Sequence, residues 1–308
     1  MKEYLSGFFQ LCDYPDDAAS SLLADYGRLM DCPETKAVFD DYIGQYERSA
    51  DGRIRFDKML DDVREAVASS GVHTYSAELL IHCCLSRHLR KLYRERGIAD
   101  EIWLNSMLDL RHKLYECRSV HGIWGSFVAG WFDGFFSLDR FAIGRLQYEH
   151  SLLSVCPSYT SCGVDLTKDA TPVLHIHIPS GSRLTAESVS DSFSAAYRFF
   201  SGTEYMQGDI LPLQCSSWLL YPKMDEFLAP DSNVMKFRRC FDIVGSCEDK
   251  NFGDCWRLFD MYWTGNAADL PRDTDMRRRY ADWLALGNTA GEGCGVILYD
   301  GREIINKR

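Results

Sequence analysis

The stretch TPVLHIHIPSGSRLTAESV, residues 171–189, decides the fold. Its first half, rich in β-branched residues and nearly continuous in apolar character, reads as a central strand. Within it His175 and His177 alternate with Leu174, Ile176 and Ile178, so both imidazoles project from one face and the aliphatics from the other. Pro179-Ser180-Gly181-Ser182-Arg183-Leu184 then makes a sharp loop, and Thr185 with Glu187 has the form of a helix start, a hydroxyl N-cap followed by an acid in the first turn. Strand, loop and helix N-terminus in succession form a common anion cradle, because loop amides and the positive end of the helix converge there. The alternative is a strand-to-helix turn that needs Gly181 only for its backbone angle.

Moving outward, a strand is expected over 140–153, RFAIGRLQYEHSLL, which alternates, and another over 210–222, ILPLQCSSWLLYP. Between them lies a helix striped by Val189, Phe193, Ala196 and Phe200. A further strand is expected over 233–245, NVMKFRRCFDIVG, then helices striped by Phe252, Trp256, Phe259 and Trp263 and by Met276, Tyr280 and Trp283. CGVILYDGREII, 294–305, closes the sheet, and 156–171 reads as a mobile loop. Before about residue 138 the pattern is helical throughout. Trp103, Met107, Leu110, Leu114 and Cys117 form one stripe and Ile81, Leu85, Leu89 and Leu92 another, with shorter helices near 16–30, 34–48 and 57–69. The fold class is therefore α+β: an all-helical domain over 1–137, then a mixed β-sheet domain flanked by helices over 138–308.

A net charge of −11 argues against nucleic acid or an anionic membrane as partner, so a small-molecule substrate is expected; the oligomeric state is left open. The basic run Arg277-Arg278-Arg279 lies beside acids and reads as a solvated helix face. Twelve scattered cysteines with no Cys-x-x-Cys pair read as reduced thiols, and no stretch has the form of a secretory signal, which together predict a cytoplasmic protein. A serine-hydrolase elbow, a Walker loop, a His-Glu-x-x-His motif and a dinucleotide glycine fingerprint do not occur in the sequence.

The order of elements, with the strings GRLQYEH, LHIHIPSGSRLT, CSSWLLYP, PDSN and KFRRCFDI, resembles a family of two-part bacterial N-acyltransferases in which a helical domain precedes a GNAT-like domain. The resemblance spans nearly the whole chain and is strongest over 140–245. It implies an acyl-CoA donor, acetyl-CoA in the simplest case, and an amine acceptor; no metal is expected, since no matching ligand motif occurs. The pyrophosphate would then rest on Ser180, Gly181, Ser182 and Arg183, although this loop has one glycine where GNAT loops have two. Cys215 and Ser216 would offer backbone groups to the pantetheine arm, while His175, Ser217 and Trp218 would contact the substrate. His177 is the expected general base, with Glu149 orienting it or relaying the proton, and Tyr221 the acid for the departing thiolate. Each has a plainer reading: hydrogen-bonded core histidines, a strand-end carboxylate, a core tryptophan. His175 and His177 would also suit a metal if Cys215 or Glu149 converged on them. A catalytically inactive GNAT-shaped module for ligand binding or regulation is the alternative to the enzyme.

Overall fold

The structure is a computed structural model that describes residues 1–306. The chain forms two compact units, Met1–Ala142 and Ile143–Arg308.

The first unit is built of helices α1 (Lys2–Leu11), α2 (Asp16–Asp31), α3 (Pro33–Arg48), α4 (Phe56–Val67), α5 (Thr74–Glu95), α6 (Asp100–His121) and the single turn α7 (Asp133–Phe136). Helix α5 is its axis: Leu79, Leu80, Ile81, Cys83, Cys84 and Leu85 are all buried, which is the pattern of a helix enclosed on every side. Its start is capped by the His73 ring, which accepts from the Tyr75 amide, and it gives way at Gly97, where φ is +68°.

The second unit carries the sheet. Its strands are β1 (Arg140–Ile143), β2 (Leu146–Leu152), β3 (Ser158–Ser161), β4 (Val164–Thr167), β5 (Pro172–His177), β6 (Leu211–Ser217), β7 (Asp242–Glu248) and β8 (Gly291–Tyr299). Its helices are α8 (Ala186–Phe200), α9 (Asn233–Arg238), α10 (Cys255–Phe259) and α11 (Asp275–Ala285). The main sheet has the order β1-β2-β5-β6-β8-β7, with β1 straddling the division between the units. Pairing is antiparallel in β2/β5, β6/β8 and β8/β7, and parallel in β5/β6. Helix α8 covers the face that carries Tyr148, Leu174, Ile176 and Tyr299: Ser192 bonds Tyr148, and Phe193 lies 5.9 Å from the Tyr299 ring. Burying Leu174 and Ile176 beneath it contributes about 1.5–3 kcal/mol each.

Several segments differ from the expectations drawn from sequence. The alternating run 140–153 is not one strand but a hairpin, because Gly144 takes φ +64° and turns the chain between β1 and β2. Segment 156–171 is ordered as the β3/β4 hairpin. Cys162 at φ +53° and Gly163 at φ +77° form a turn of the I′ kind, and Val164 and Leu166 are buried with Val173, Val296 and Leu298. The run 233–245 begins as helix α9, since the Ser232 side chain accepts from the Met235 amide and nucleates a turn, and becomes strand only at Asp242. Similarly, β6 ends at Ser217 and a 3₁₀ turn takes over at Trp218–Leu220.

Candidate active site

The site begins where β5 and β6 part. Their parallel pairing consists of Leu174 with Leu213 and His175 with Gln214, and it stops there although β5 runs on to His177 and β6 to Ser217. Cys215, Ser216 and Ser217 pair only toward β8, with Gly295, Cys294 and Gly293, so toward β5 their backbone edge is left without a ladder partner, a gap between the two strands.

On the β5 side of the gap, register brings His175 opposite Glu149 and His177 opposite Gln147, which puts all four side chains on one face. The Glu149 carboxylate reaches diagonally to His177, with Oε2 at 2.5 Å from Nε2, and the His175 and His177 rings stack at 4.7 Å between centroids. Their side chains are 27% and 19% exposed for Glu149 and His177, enough for a proton to leave but dry enough for the pair to interact strongly. Across the gap the same face carries Ser216, whose hydroxyl lies 3.0 Å from Cys294 Sγ, and Glu292. Burial, with Asp254 and Asp249 nearby, raises the Glu292 carboxyl above its ordinary range, against the opposing effect of Ser216.

The loop after β5 is the second component. Gly181 adopts φ +98°, a conformation open to glycine at little cost. The amides of Gly181, Ser182, Arg183 and Leu184 donate to no group among the described residues. Thr185 caps α8, its Oγ1 accepting from Ser188 N at 3.2 Å, so the helix N-terminus follows directly on those amides. Beside this corner an apolar cavity of about 260 Å³ is lined by Leu184, Val189, Phe193 and Phe237, with Lys236, Arg302 and Glu303 at its wall. Neither cation is engaged in an ion pair among the described residues.

The remaining expected residues are placed elsewhere or differently engaged. Cys215 points to the α8 face, fully buried, and burial pushes its thiol far above the ordinary range, so it is neither a thiolate at neutral pH nor a ligand beside His177. Ser217 caps the 3₁₀ turn by accepting from Leu219 N at 3.2 Å. Trp218 packs against the cluster that contains Tyr221, Met224 and Phe252. Tyr221 is itself buried, its ring against Gly291 of β8, where any Cβ would collide with it. Among the described residues no three His, Cys, Asp or Glu side chains converge as metal ligands, and no helix is long and apolar enough to cross a membrane.

Residues 3–138 match the model of the N-acyltransferase N-terminal domain, and residues 141–297 match that of the GNAT-like C-terminal domain. The chain belongs to this two-part acyltransferase family. Among solved structures, a mutant acyltransferase in complex with octanoyl-CoA superposes with a TM-score of 0.68 at 19% identity, covering 96% of this chain and 87% of the other. An acyltransferase in complex with decanoyl-CoA and teicoplanin gives 0.66 at 20%, covering 94% and 86%, and one with decanoyl-CoA gives 0.63 at 19%, covering 95% and 98%. No curated protein matches the sequence.

In this GNAT-like domain three residues that no motif of the sequence marks, Arg145, Ser192 and Glu292, belong to the site. Arg145 stands in the β1/β2 turn and donates from Nη2 to Ser182 O at 2.8 Å and from Nε to Arg183 O at 3.3 Å. Ser192 of α8 holds that turn: its hydroxyl donates to Ile143 O at 2.5 Å and accepts from Leu146 N at 3.2 Å. The one available signal was Gly144-Arg145, a turn dipeptide inside an otherwise alternating run.

Proposed function

We propose that the protein transfers an acyl group from an acyl-CoA to an amine at the gap between β5 and β6, with the donor's pyrophosphate on the Gly181–Leu184 amides. The observation that carries this reading is the conjunction of open strand edges, partnerless loop amides and a carboxylate–imidazole pair at one strand end. The thioester would enter from the α8 side. Its nucleotide end would lie toward the cavity with Lys236 and Arg302, whose charges suit phosphate.

The amine nitrogen forms a bond to the thioester carbonyl carbon, and the C–S bond then breaks to release CoA thiolate. Before or during attack the nitrogen loses a proton. His177, paired through Nε2 with the Glu149 carboxylate, is the candidate base that takes that proton, and the carboxylate stabilises the imidazolium. Backbone groups of Cys215–Ser217 would polarise the carbonyl. Tyr221, buried near the Lys223 ammonium, is the candidate acid for the thiolate. His175 would help shape the acceptor pocket.

Acetyl-CoA is the simplest donor, but relatives of this fold crystallised with octanoyl- and decanoyl-CoA support a medium-length chain. Measuring CoA release with acetyl-, octanoyl- and decanoyl-CoA and a panel of amines tests the reading. Turnover should be seen, faster with the longer donors, and His177→Gln should lower kcat by about 10²–10⁴ with an unchanged thermal transition. Donor binding without turnover by any amine would favour the alternative of a ligand-binding or regulatory module.

A further inference from the structure

We propose that Arg145 is a positioning residue that turns the amides of the loop toward the donor's pyrophosphate. The inference rests on the reading that this loop holds an acyl-CoA. The peptide units Ser182–Arg183 and Arg183–Leu184 are trans and planar, so in each the C=O and the N–H point in opposite directions. Arg145 takes both carbonyls, one per nitrogen, at 2.8 and 3.3 Å. The amides of Arg183 and Leu184 must then face away from the guanidinium, and both donate to nothing within the described chain. A fork-shaped donor group is what two successive carbonyls require, and lysine can satisfy one at a time.

Arg145 is itself fixed. A Cβ on Gly144 would stand 3.2 Å from Cα and Cβ of Ser192, so turn and helix are in close contact, and the Ser192 hydroxyl bonds the chain on both sides of the turn. A line of contacts thus runs from α8 through the turn to the loop that opens α8. Burial lowers the Arg145 pKa to about 10, which leaves it charged at neutral pH. Its Nη1 is buried without a partner, so the guanidinium is held by the loop carbonyls rather than by a carboxylate. A carboxylate partner would cancel this charge. Here it adds to the positive field at the cradle.

The test compares an acyl-CoA with the matching acyl-pantetheine, which has the same thioester but no pyrophosphate, as donors for wild type, Arg145→Met and Arg145→Lys. In the wild type kcat/KM should favour the acyl-CoA strongly; absence of that preference would overturn the cradle reading itself. In Arg145→Met the preference should fall at least about tenfold, through KM for the acyl-CoA rather than kcat, with Arg145→Lys in between. An unchanged preference in a folded Met variant would overturn the proposal. A second measurement needs no variant: in the wild type the Arg183 and Leu184 amides should exchange hydrogen rapidly and become protected on adding CoA. Protection already present in the free protein would contradict it.

Discussion

His177 and Glu149 meet because of a diagonal, and a diagonal cannot be read from one strand. Period-2 alternation places His175 and His177 together from sequence alone, and the stacked rings at 4.7 Å agree. Which carboxylate reaches which histidine depends on the β2/β5 register, a pairing of two strands separated by the β3/β4 hairpin that neither strand specifies alone. Glu292 was less visible still, since its partners Asp249 and Asp254 come from another part of the chain. Its raised carboxyl pKa means that the folded state disfavours the ionised form, so this residue subtracts stability as pH rises from the unfolded pKa through the folded one. Glu292→Gln should therefore raise Tm at pH 8 while changing it little at pH 4. Equal shifts at both values would show that ionisation is not the cause.

At the scale of elements, most helices of the first unit were legible because their stripes are long and their ends carry glycine or proline, as at Gly97 and Pro33. Strands β5 and β8 were legible by β-branched content. The failures share a physical cause: short-range signals from one or two residues outweigh periodicity. The I′ geometry of Cys162-Gly163 makes a hairpin where a polar run suggested a loop, and the Ser232 cap makes a helical turn where apolar residues suggested strand. Ser192 shows how one residue can couple elements, bonding Ile143 O, Leu146 N and the Tyr148 hydroxyl from within α8. Ser192→Ala leaves these groups buried without their partner and should cost about 1–3 kcal/mol in denaturant unfolding. It should also weaken donor binding, because the turn that presents Arg145 loses its anchor. A loss below about 0.5 kcal/mol would mean that the groups find other partners.

For the whole molecule, the order of elements carries the family resemblance, and the family models meet near residue 140, close to where the two units divide. The net charge of −11 sharpens the electrostatic question, since an anionic donor must approach an acidic protein and needs a local positive site. In the proposed reading Gly181–Leu184 and the α8 N-terminus, with Arg145 behind them, would supply one. The most direct measurement is a crystal structure of the protein soaked or grown with octanoyl-CoA. The account predicts the pyrophosphate within hydrogen-bond distance of the Gly181–Leu184 amides and the thioester in the β5/β6 gap near His177. Octanoyl-CoA bound elsewhere, with that loop untouched, would contradict it.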